Sequence, residues 1–419
     1  MPNRGQRARG FCWTALAFTL LLISGITNCP AQAQTFTVLY TFTGSPDGAL
    51  PYAALVQDAT GTFYGTTAAG GTGNCNHGVA GCGTVFKVDS NGKETILYRF
   101  NGGADGDFPV AGLLMDTAGN LYGTTQNGGD PTCEPPYGCG VIFEIDTNGK
   151  ETVLHTFEGP DGAFPLAGLV QDSAGNLYGT AEGGGKWTFG VVFELESSGK
   201  EKEKVLHSFG GSARGDGAFP SSGLVQDSSG NFYGTTGSGG IKPHICAGGC
   251  GTVFKLDKDG EETVLHKFTE ADGATPIAGL FRNAGGNLYG TTYTGVRYAQ
   301  NFGTIFKVAT NGKENLLHIF DPSRGDGAWP QSGLVRDKEG AFYGTTSIGG
   351  TGYKGTVFKL QSRNVSILHN FAGADGADPH ATLVLGRDGS IYGATIYGGN
   401  GPCKDGVGIG CGVLFKITP

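Results

Sequence analysis

The chain has 419 residues, 78 of them glycine, and its 29 Lys and Arg against 37 Asp and Glu give a net charge of −8. An acidic chain is poorly suited to binding phosphate backbones, so we expect no nucleic-acid partner. The glycines fall at fixed places between short apolar segments, which is typical of a β protein with many turns and excludes a disordered, low-complexity chain.

The first 33 residues predict a signal peptide. Three arginines precede an apolar run at 11–26, and the Ala-Gln-Ala sequence at 31–33 has the small-x-small pattern of a cleavage site. The run is too short for a membrane span, and no later stretch resembles one. Cys29 offers lipid anchoring as an alternative, but the bulky Asn28 stands where a small residue is wanted, so we expect cleavage after residue 33. Cleavage changes the net charge to −11 and predicts a secreted, periplasmic or cell-surface protein.

Seven copies of a repeat of roughly 55 residues follow the leader. The Asp of an Asp-Gly marker recurs at Asp47, Asp105, Asp161, Asp216, Asp272, Asp326 and Asp375. The tyrosine of a Tyr-Gly pair recurs at Tyr64, Tyr122, Tyr178, Tyr233, Tyr289, Tyr343 and Tyr392. Two independent markers therefore agree on seven copies.

Each copy contains four short strand candidates rich in Val, Leu, Phe, Tyr and Thr, which we name A to D in chain order. Strand A has the type Gly-Leu-Val-Gln-Asp, B Leu-Tyr-Gly-Thr-Thr, C Gly-Thr-Val-Phe-Lys-Leu and D Thr-Val-Leu-His-x-Phe. Short glycine-containing segments join A to B and C to D, as tight hairpins require. Four antiparallel strands per copy predict an all-β, seven-bladed β-propeller.

The two ends of the repeat array indicate how the ring closes. Residues 36–42 form a D strand that stands alone before the first A strand, and the last copy stops after its C strand at 412–417. The N-terminal strand is therefore expected to complete the last blade, because closure satisfies strand edges that an open array would expose. The sequence predicts one propeller over 34–419. The predicted blades span approximately 44–100, 101–157, 158–209, 210–268, 269–320, 321–371, and 372–419 with 35–43.

The Asp-Gly-Ala-x-Pro, Gly-Leu-Val-x-Asp-x-x-Gly-Asn-Leu-Tyr-Gly-Thr-Thr and Gly-Thr-Val-Phe-Lys-Leu blocks resemble the GloVer (Gloeo/Verruco) repeat of exported bacterial proteins. The resemblance covers residues 35–419 and implies export, but it implies no biochemical activity. Many members carry a C-terminal sorting or anchoring segment, and we expect none here because the chain ends within a strand at Pro419. The Asp-x-x-Gly-Asn-Leu-Tyr turn is also similar to that of NHL and gluconolactonase-type propellers, some of which are enzymes.

Eight cysteines outside the leader form four local pairs in the B–C connections. The pairs are Cys75/Cys82, Cys133/Cys139, Cys246/Cys250 and Cys403/Cys411. Copies three, five and six lack both members, and cysteines that are present or absent together are typical of disulfides in an oxidising compartment. Zinc is the alternative, but each pair would need two further ligands, and only some loops have a nearby histidine (His77, His244).

Three repeated sets of polar residues favour structural roles, although the first two also suggest metal chemistry. Five D strands carry histidines, His155, His207, His266, His318 and His369, and Tyr40 and Tyr98 take that position elsewhere. Tyrosine is a poor substitute for an imidazole ligand, so a packed ring with one hydrogen bond is expected. The seven Asp-Gly carboxylates could hold calcium, but an Asp before Gly is also the ordinary way to fix a turn. The strand-A carboxylates Asp58, Asp116, Asp172, Asp227, Asp337 and Asp388 have Asn283 at the equivalent position of copy five, which again favours turn chemistry.

Function is expected where the copies differ, which is in the B–C connections. The unrepeated candidates there are Trp187, Lys242, His244, Arg297, Tyr298, Tyr353 and Tyr397. His380, near the start of the last A strand, is expected close to the central channel. For each residue, an ordinary exposed loop side chain is the competing interpretation.

Two functional hypotheses remain open. The favoured one is a non-enzymatic scaffold, expected to be monomeric, that binds a glycan, peptide or protein through the face carrying the B–C connections. The alternative is a metal-dependent hydrolase or lyase of the gluconolactonase-like kind, with its metal at the channel mouth. No catalytic motif stands out, so no catalytic residue and no cofactor are predicted.

Overall fold

The computed structural model describes residues 34–75, 79–197, 203–241, 246–295, 302–404 and 409–418. The predicted signal peptide lies outside the described residues. So do His77 and four of the predicted binding residues, Lys242, His244, Arg297 and Tyr298.

The chain forms a seven-bladed β-propeller in which each blade is a four-stranded antiparallel sheet ordered A-B-C-D. In blades 1 to 7, strand A spans Val56–Gln57, Leu114–Met115, Val170–Gln171, Val225–Gln226, Phe281–Arg282, Val335–Arg336 and Val384–Leu385. Strand B spans Phe63–Thr67, Leu121–Thr125, Leu177–Ala181, Phe232–Thr236, Leu288–Thr292, Phe342–Thr346 and Ile391–Thr395. Strand C spans Thr84–Val88, Val141–Ile145, Val191–Leu195, Thr252–Leu256, Thr304–Val308, Thr356–Gln361 and Val413–Thr418. Strand D spans Glu94–Arg99, Glu151–Thr156, Glu203–Ser208, Glu262–Lys267, Glu314–Ile319, Asn364–Asn370 and Thr35–Thr41.

The predicted ring closure is confirmed. Thr35–Thr41 pairs antiparallel with Val413–Thr418, and the register places Phe36 opposite Ile417. The N-terminal strand is therefore the D strand of blade 7, and closure leaves no blade with an unpaired C strand.

The connections between the blade strands contain short strand pairs and 3₁₀ turns. Gly48–Ala49 pairs with Ala69–Gly70, and Gly217–Ala218 pairs with Ser238–Gly239. Two 3₁₀ turns, Ser212–Arg214 and Pro322–Arg324, lie between a D strand and the next blade. Within the described part of the chain, no helix is long and apolar enough to span a membrane.

A ring of phenylalanines joins each blade to the next. The phenylalanine after strand D of one blade packs edge-to-face on the strand-C phenylalanine of the following blade, with ring centroids 4.9–5.3 Å apart. Phe42, after the N-terminal strand, meets Phe86 of blade 1 in this way, and both rings are fully buried. The Tyr-Gly glycine of strand B makes room for the strand-C ring, because a Cβ on Gly65 would lie 2.8 Å from Phe86 Cζ. These contacts form the hydrophobic core between blades.

The order of strands decides which connections can form a site. Since the strands alternate in direction, the D–A and B–C connections emerge on one face, here called the upper face, and the A–B and C–D turns on the other. A cavity of about 310 Å³ follows the axis and is lined by the segments that lead into strand A, among them His380.

Candidate functional site

A ring of seven residues on the upper face has a left-handed backbone conformation. These are the x residues of the Asp-Gly-Ala-x-Pro block, and each has φ between 57° and 60°. We call this set the upper ring, and it consists of Leu50, Phe108, Phe164, Phe219, Thr275, Trp329 and Asp378. A non-glycine residue in this conformation is strained by roughly 1–2 kcal/mol, so the surrounding structure must hold it there.

Two backbone hydrogen bonds hold every residue of the upper ring. The N–H of each upper-ring residue donates to a backbone carbonyl of the previous blade, at 2.8–3.1 Å. The acceptor is the second residue before strand C of that blade. The carbonyl of the upper-ring residue accepts from the N–H of the first residue after strand B, at 3.0–3.2 Å. In Phe108, for example, these partners are Cys82 and Gln126. Because only main-chain atoms take part, the side chain at this position can vary without loss of the turn.

The four disulfides support this arrangement. Cys75 is bonded to Cys82, Cys133 to Cys139, Cys246 to Cys250 and Cys403 to Cys411. The carbonyl of the second cysteine of each pair accepts the N–H of the upper-ring residue that leads into the next blade. In blades 3, 5 and 6 the acceptors are Phe189, Phe302 and Lys354. The disulfides therefore fix loops that position the upper ring.

A polar and aromatic cluster occupies one side of the channel mouth. His380 Nε2 lies 2.9 Å from Asp378 Oδ1 and 2.8 Å from Gln331 Nε2. The rings of Tyr293 and Trp329 lie 5.7 Å apart, and burial and the charge of Asp378 raise the pKa of Tyr293. We call these five residues the mouth cluster. It combines flat apolar surfaces with hydrogen-bonding groups, which suits an organic ligand with both kinds of surface.

The predicted candidates do not all come together. His380 lines the channel, as expected from its position. Trp187 lies under the Arg214 guanidinium, whose carbon is 3.5 Å from the indole centroid. Tyr353 is 77% exposed at a loop tip of blade 6, and the backbone of Tyr397 pairs with Ala377 in blade 7. Of these residues, only His380 belongs to the mouth cluster.

The upper ring was missed by reasoning from the sequence. Its signal was present, because the x position varies from Leu to Phe, Thr, Trp and Asp inside an otherwise regular Asp-Gly-Ala-x-Pro block. The sequence predicted function in the B–C connections, whereas this position lies in the D–A connections.

The repeated rings of strand D bond to the Asp-Gly carboxylates in all seven blades. The histidine Nε2 or tyrosine hydroxyl lies 2.7–3.3 Å from an oxygen of the aspartate that follows it in the chain. Each of these aspartates also accepts a backbone N–H from its own loop at 2.7–2.9 Å. Both roles fix the D–A turn.

A glutamate from the next blade joins five of these pairs. Glu94, Glu151, Glu203, Glu262 and Glu314, each at the start of a D strand, have an inaccessible Oε1 with no hydrogen-bond partner. Burial raises the pKa of each to about 7. We call the seven pairs of ring and aspartate, together with the glutamate where one is present, the outer junctions.

Two outer junctions have side chains that could hold a metal ion. The ligand atoms of His155, Asp161 and Glu203 lie within 4.8 Å of one another, and so do those of His207, Asp216 and Glu262. Because tyrosine replaces histidine at two equivalent junctions, hydrogen bonding is the property that they share. The cluster of Cys75, Cys82 and Asp107 offers no thiolate, because its cysteines are disulfide-bonded.

Comparison with known proteins gives the family. A family model, the Gloeobacter/Verrucomicrobia repeat, matches residues 25–172, 132–338 and 323–419. The chain belongs to this repeat family. The resemblance in the repeat blocks is thereby confirmed. No curated protein matches the chain in sequence.

Solved structures similar to this repeat-family member show its fold. The extracellular domain of a protein described as a hybrid two component system, from B. thetaiotaomicron, aligns with 92% of this chain and 41% of its own, at 16% identity and a TM-score of 0.53. The extracellular domain of a one component system from the same organism aligns with 90% of this chain and 39% of its own, at 10% identity and a TM-score of 0.55. This chain thus spans about two fifths of each of those structures. The alignment with a gluconolactonase from Xanthomonas campestris covers 76% of this chain and 87% of the gluconolactonase, at 15% identity and a TM-score of 0.40.

The carboxylates of strand A in this repeat-family member also have a local role. Each of the six aspartates accepts the hydroxyl of the Tyr-Gly tyrosine at 2.7–3.3 Å. Asn283 takes the same place and has its Nδ2 3.5 Å from the Tyr289 hydroxyl. These residues fix the A–B hairpin and lie on the face opposite the upper ring.

Proposed function

We propose that the protein is an exported, non-enzymatic binding scaffold whose ligand sits on the upper ring and the channel mouth. The observation that carries this proposal is the upper ring itself, since seven strained positions share one backbone geometry and differ in their side chains. Strain that is kept in every blade while the side chain varies favours a recognition role.

The chemistry of the upper face supports an organic ligand. Aromatic rings of the upper ring lie partly exposed, and Phe219 is 38% exposed. Beside them the mouth cluster offers a carboxylate, an imidazole and an amide within one site. Aromatic faces with convergent polar groups suit a glycan or a peptide.

Two features support export. Four disulfides fit an oxidising compartment. The propeller fold is shared with the extracellular domains of the two B. thetaiotaomicron proteins. The predicted signal peptide belongs to the same proposal.

Binding arrays test the proposal. The purified protein is applied to a glycan array and a peptide array, and each hit is measured again by calorimetry with Trp329→Ala and with Lys93→Ala, an exposed residue of the C–D turn on the opposite face. We expect Trp329→Ala to weaken binding at least tenfold and Lys93→Ala to leave it unchanged. Hits that respond equally to both variants, or the absence of hits on both arrays, would contradict the proposal.

The hydrolase or lyase alternative rests on one observation. Asp378 and His380 are unrepeated and hydrogen-bonded to each other, and His380 lines the axial cavity. That alternative predicts a stoichiometric divalent ion in the purified protein, lost together with His380 in a His380→Ala variant. Metal analysis before and after a chelator separates the two proposals, because the scaffold needs no ion to hold its upper ring.

A further inference from the structure

An open cavity on the upper face of blade 3 lies away from the mouth cluster. It has a volume of about 1130 Å³ and is bounded by the B–C connection of blade 3 and the D–A connections on either side. Phe164 and Phe219 of the upper ring line it, together with Pro160 and Val205. We call this cavity the blade-3 groove. Its size suits a drug-sized molecule or several residues of a peptide.

Glu182 places a carboxylate in the blade-3 groove. It is the first residue after strand B, and its backbone N–H donates to the Phe164 carbonyl, which fixes its position beside the upper ring. The equivalent residues of the other blades carry no charge, and they are Ala68, Gln126, Gly237, Tyr293, Ser347 and Ile396. A charged side chain at this position is therefore peculiar to blade 3.

The carboxylate of Glu182 is partly buried and unpaired. Within the part of the chain that the structure describes, it has neither a hydrogen bond nor an ion pair, and burial raises its pKa. Lys186 also lines the groove, but its Nζ lies 4.7 Å from the centroid of Trp187, and the guanidinium carbon of Arg214 lies 3.5 Å from the same centroid. A partly desolvated carboxylate without a cation is costly, and a bound cation would remove that cost.

We propose that the blade-3 groove binds an organic cation, an ammonium or guanidinium group that pairs with Glu182 while its apolar part packs on Phe164 and Phe219. The phenyl faces add to this preference, because aromatic faces attract cations. A guanidinium or ammonium donates the charge-assisted hydrogen bonds that the free carboxylate lacks. This inference rests on the proposed function and names the ligand chemistry of one sector of the upper face.

Calorimetric titration with matched probes tests the groove. The probes are agmatine, the peptide acetyl-Gly-Arg-Gly-amide, and the same peptide with uncharged citrulline in place of arginine. We expect at least one cationic probe to bind and the citrulline peptide to bind at least tenfold more weakly. Agmatine binding alone would indicate a free small cation as the ligand, and peptide binding alone a cationic side chain, and either result supports the proposal.

Two variants complete the test. Glu182→Gln should weaken the affinity for the cationic probe at least tenfold. Glu134 is an exposed carboxylate on the rim of the same groove, and Glu134→Gln should change that affinity less than threefold. If Glu182→Gln does not fold, the affinities of the unaltered protein for the arginine and citrulline peptides still test the inference. Equal affinity for both peptides, no binding of either cation, or an unaffected Glu182→Gln would overturn the inference. An array ligand that depends on Trp329 would leave the proposed function standing in each of those cases.

Discussion

The outer junctions and the upper ring use repetition in opposite ways. At the outer junctions the side chains repeat: a histidine or tyrosine bonds to an aspartate, and in five blades a buried glutamate packs beside them. At the upper ring the side chains differ, and what repeats is a pair of main-chain hydrogen bonds. Where the backbone supplies the support, the side chain is free to differ from blade to blade.

Two of the outer junctions have an apolar residue in place of the glutamate. Alignment of the D strands places Val365 and Phe36 where the other blades have glutamate. Phe36 stacks on His369 with ring centroids 3.6 Å apart, so an apolar contact replaces the buried carboxyl. The junction tolerates either solution because its purpose is packing between blades.

The largest expected effect comes from opening the ring. Deleting residues 34–43 removes the D strand of blade 7 and the fully buried Phe42. We expect the free energy of unfolding to fall by about 5 kcal/mol or more, because a whole strand ladder and a core ring are lost. Denaturant unfolding measures this loss, and the control deletes the loop tip at Tyr353. Equal unfolding midpoints for the two deletions would refute closure by this strand.

A second comparison sets two nearby phenylalanines against each other. Phe209 is fully buried and packs on Phe254, whereas Phe219 of the upper ring is 38% exposed. We expect Phe209→Ala to lower the free energy of unfolding by about 3–5 kcal/mol and Phe219→Ala by about 1 kcal/mol. Phe219→Ala should instead weaken the binding of the cationic probe. Similar losses of stability in both variants would show that the upper ring is part of the core.

The outer junctions should also make stability depend on pH. Burial raises the pKa of Glu203 from about 4.5 to about 7, with Asp161 adding to the shift and His155 opposing it. A carboxyl whose pKa is raised by folding binds more protons in the folded state, so its contribution is complete below pH 4.5 and is lost as pH rises through 7. Four further glutamates act in the same direction, whereas His369, whose pKa burial lowers, acts in the opposite one.

Urea unfolding between pH 5 and pH 7.5 measures this effect. We expect the unaltered protein to lose stability over that range, and Glu203→Gln to lose less by about 1 kcal/mol, since solvent screens a partly exposed group. The exposed Glu196→Gln is the matched control and should follow the unaltered protein. A rise in stability over this range would contradict the assignment.

The sequence predicted the fold in detail because the repeat carries its own evidence. The Asp-Gly and Tyr-Gly markers count the blades, and the unpaired D strand at 36–42 specifies the closure. The cysteine pairs could be read for the same reason, since both members appear or disappear together. A pattern that recurs from copy to copy is visible in the sequence alone.

The candidate site was harder to predict because it depends on contacts between blades. Nothing local in the sequence shows that the N–H of Phe108 donates to the carbonyl of Cys82 in the preceding blade, or that Phe108 adopts φ of 60°. Likewise, Gln331 meets His380 only once blades 6 and 7 pack against each other. The position of His380 near the channel could be inferred from its place before strand A, but its contact with Gln331 could not.

The smallest expected effect isolates the backbone strain of the upper ring. Thr275 has φ of 57°, and a β-branched residue is poorly suited to that conformation. Thr275→Gly should therefore raise the free energy of unfolding by roughly 0.5–1 kcal/mol, whereas Thr275→Ala, which keeps a Cβ, should bring little gain. Thermal and denaturant unfolding of the two variants, each compared with the unaltered protein, gives the difference. A glycine variant no more stable than the alanine variant would mean that the ring is unstrained, and the contrast with the outer junctions would then rest on side-chain variation alone.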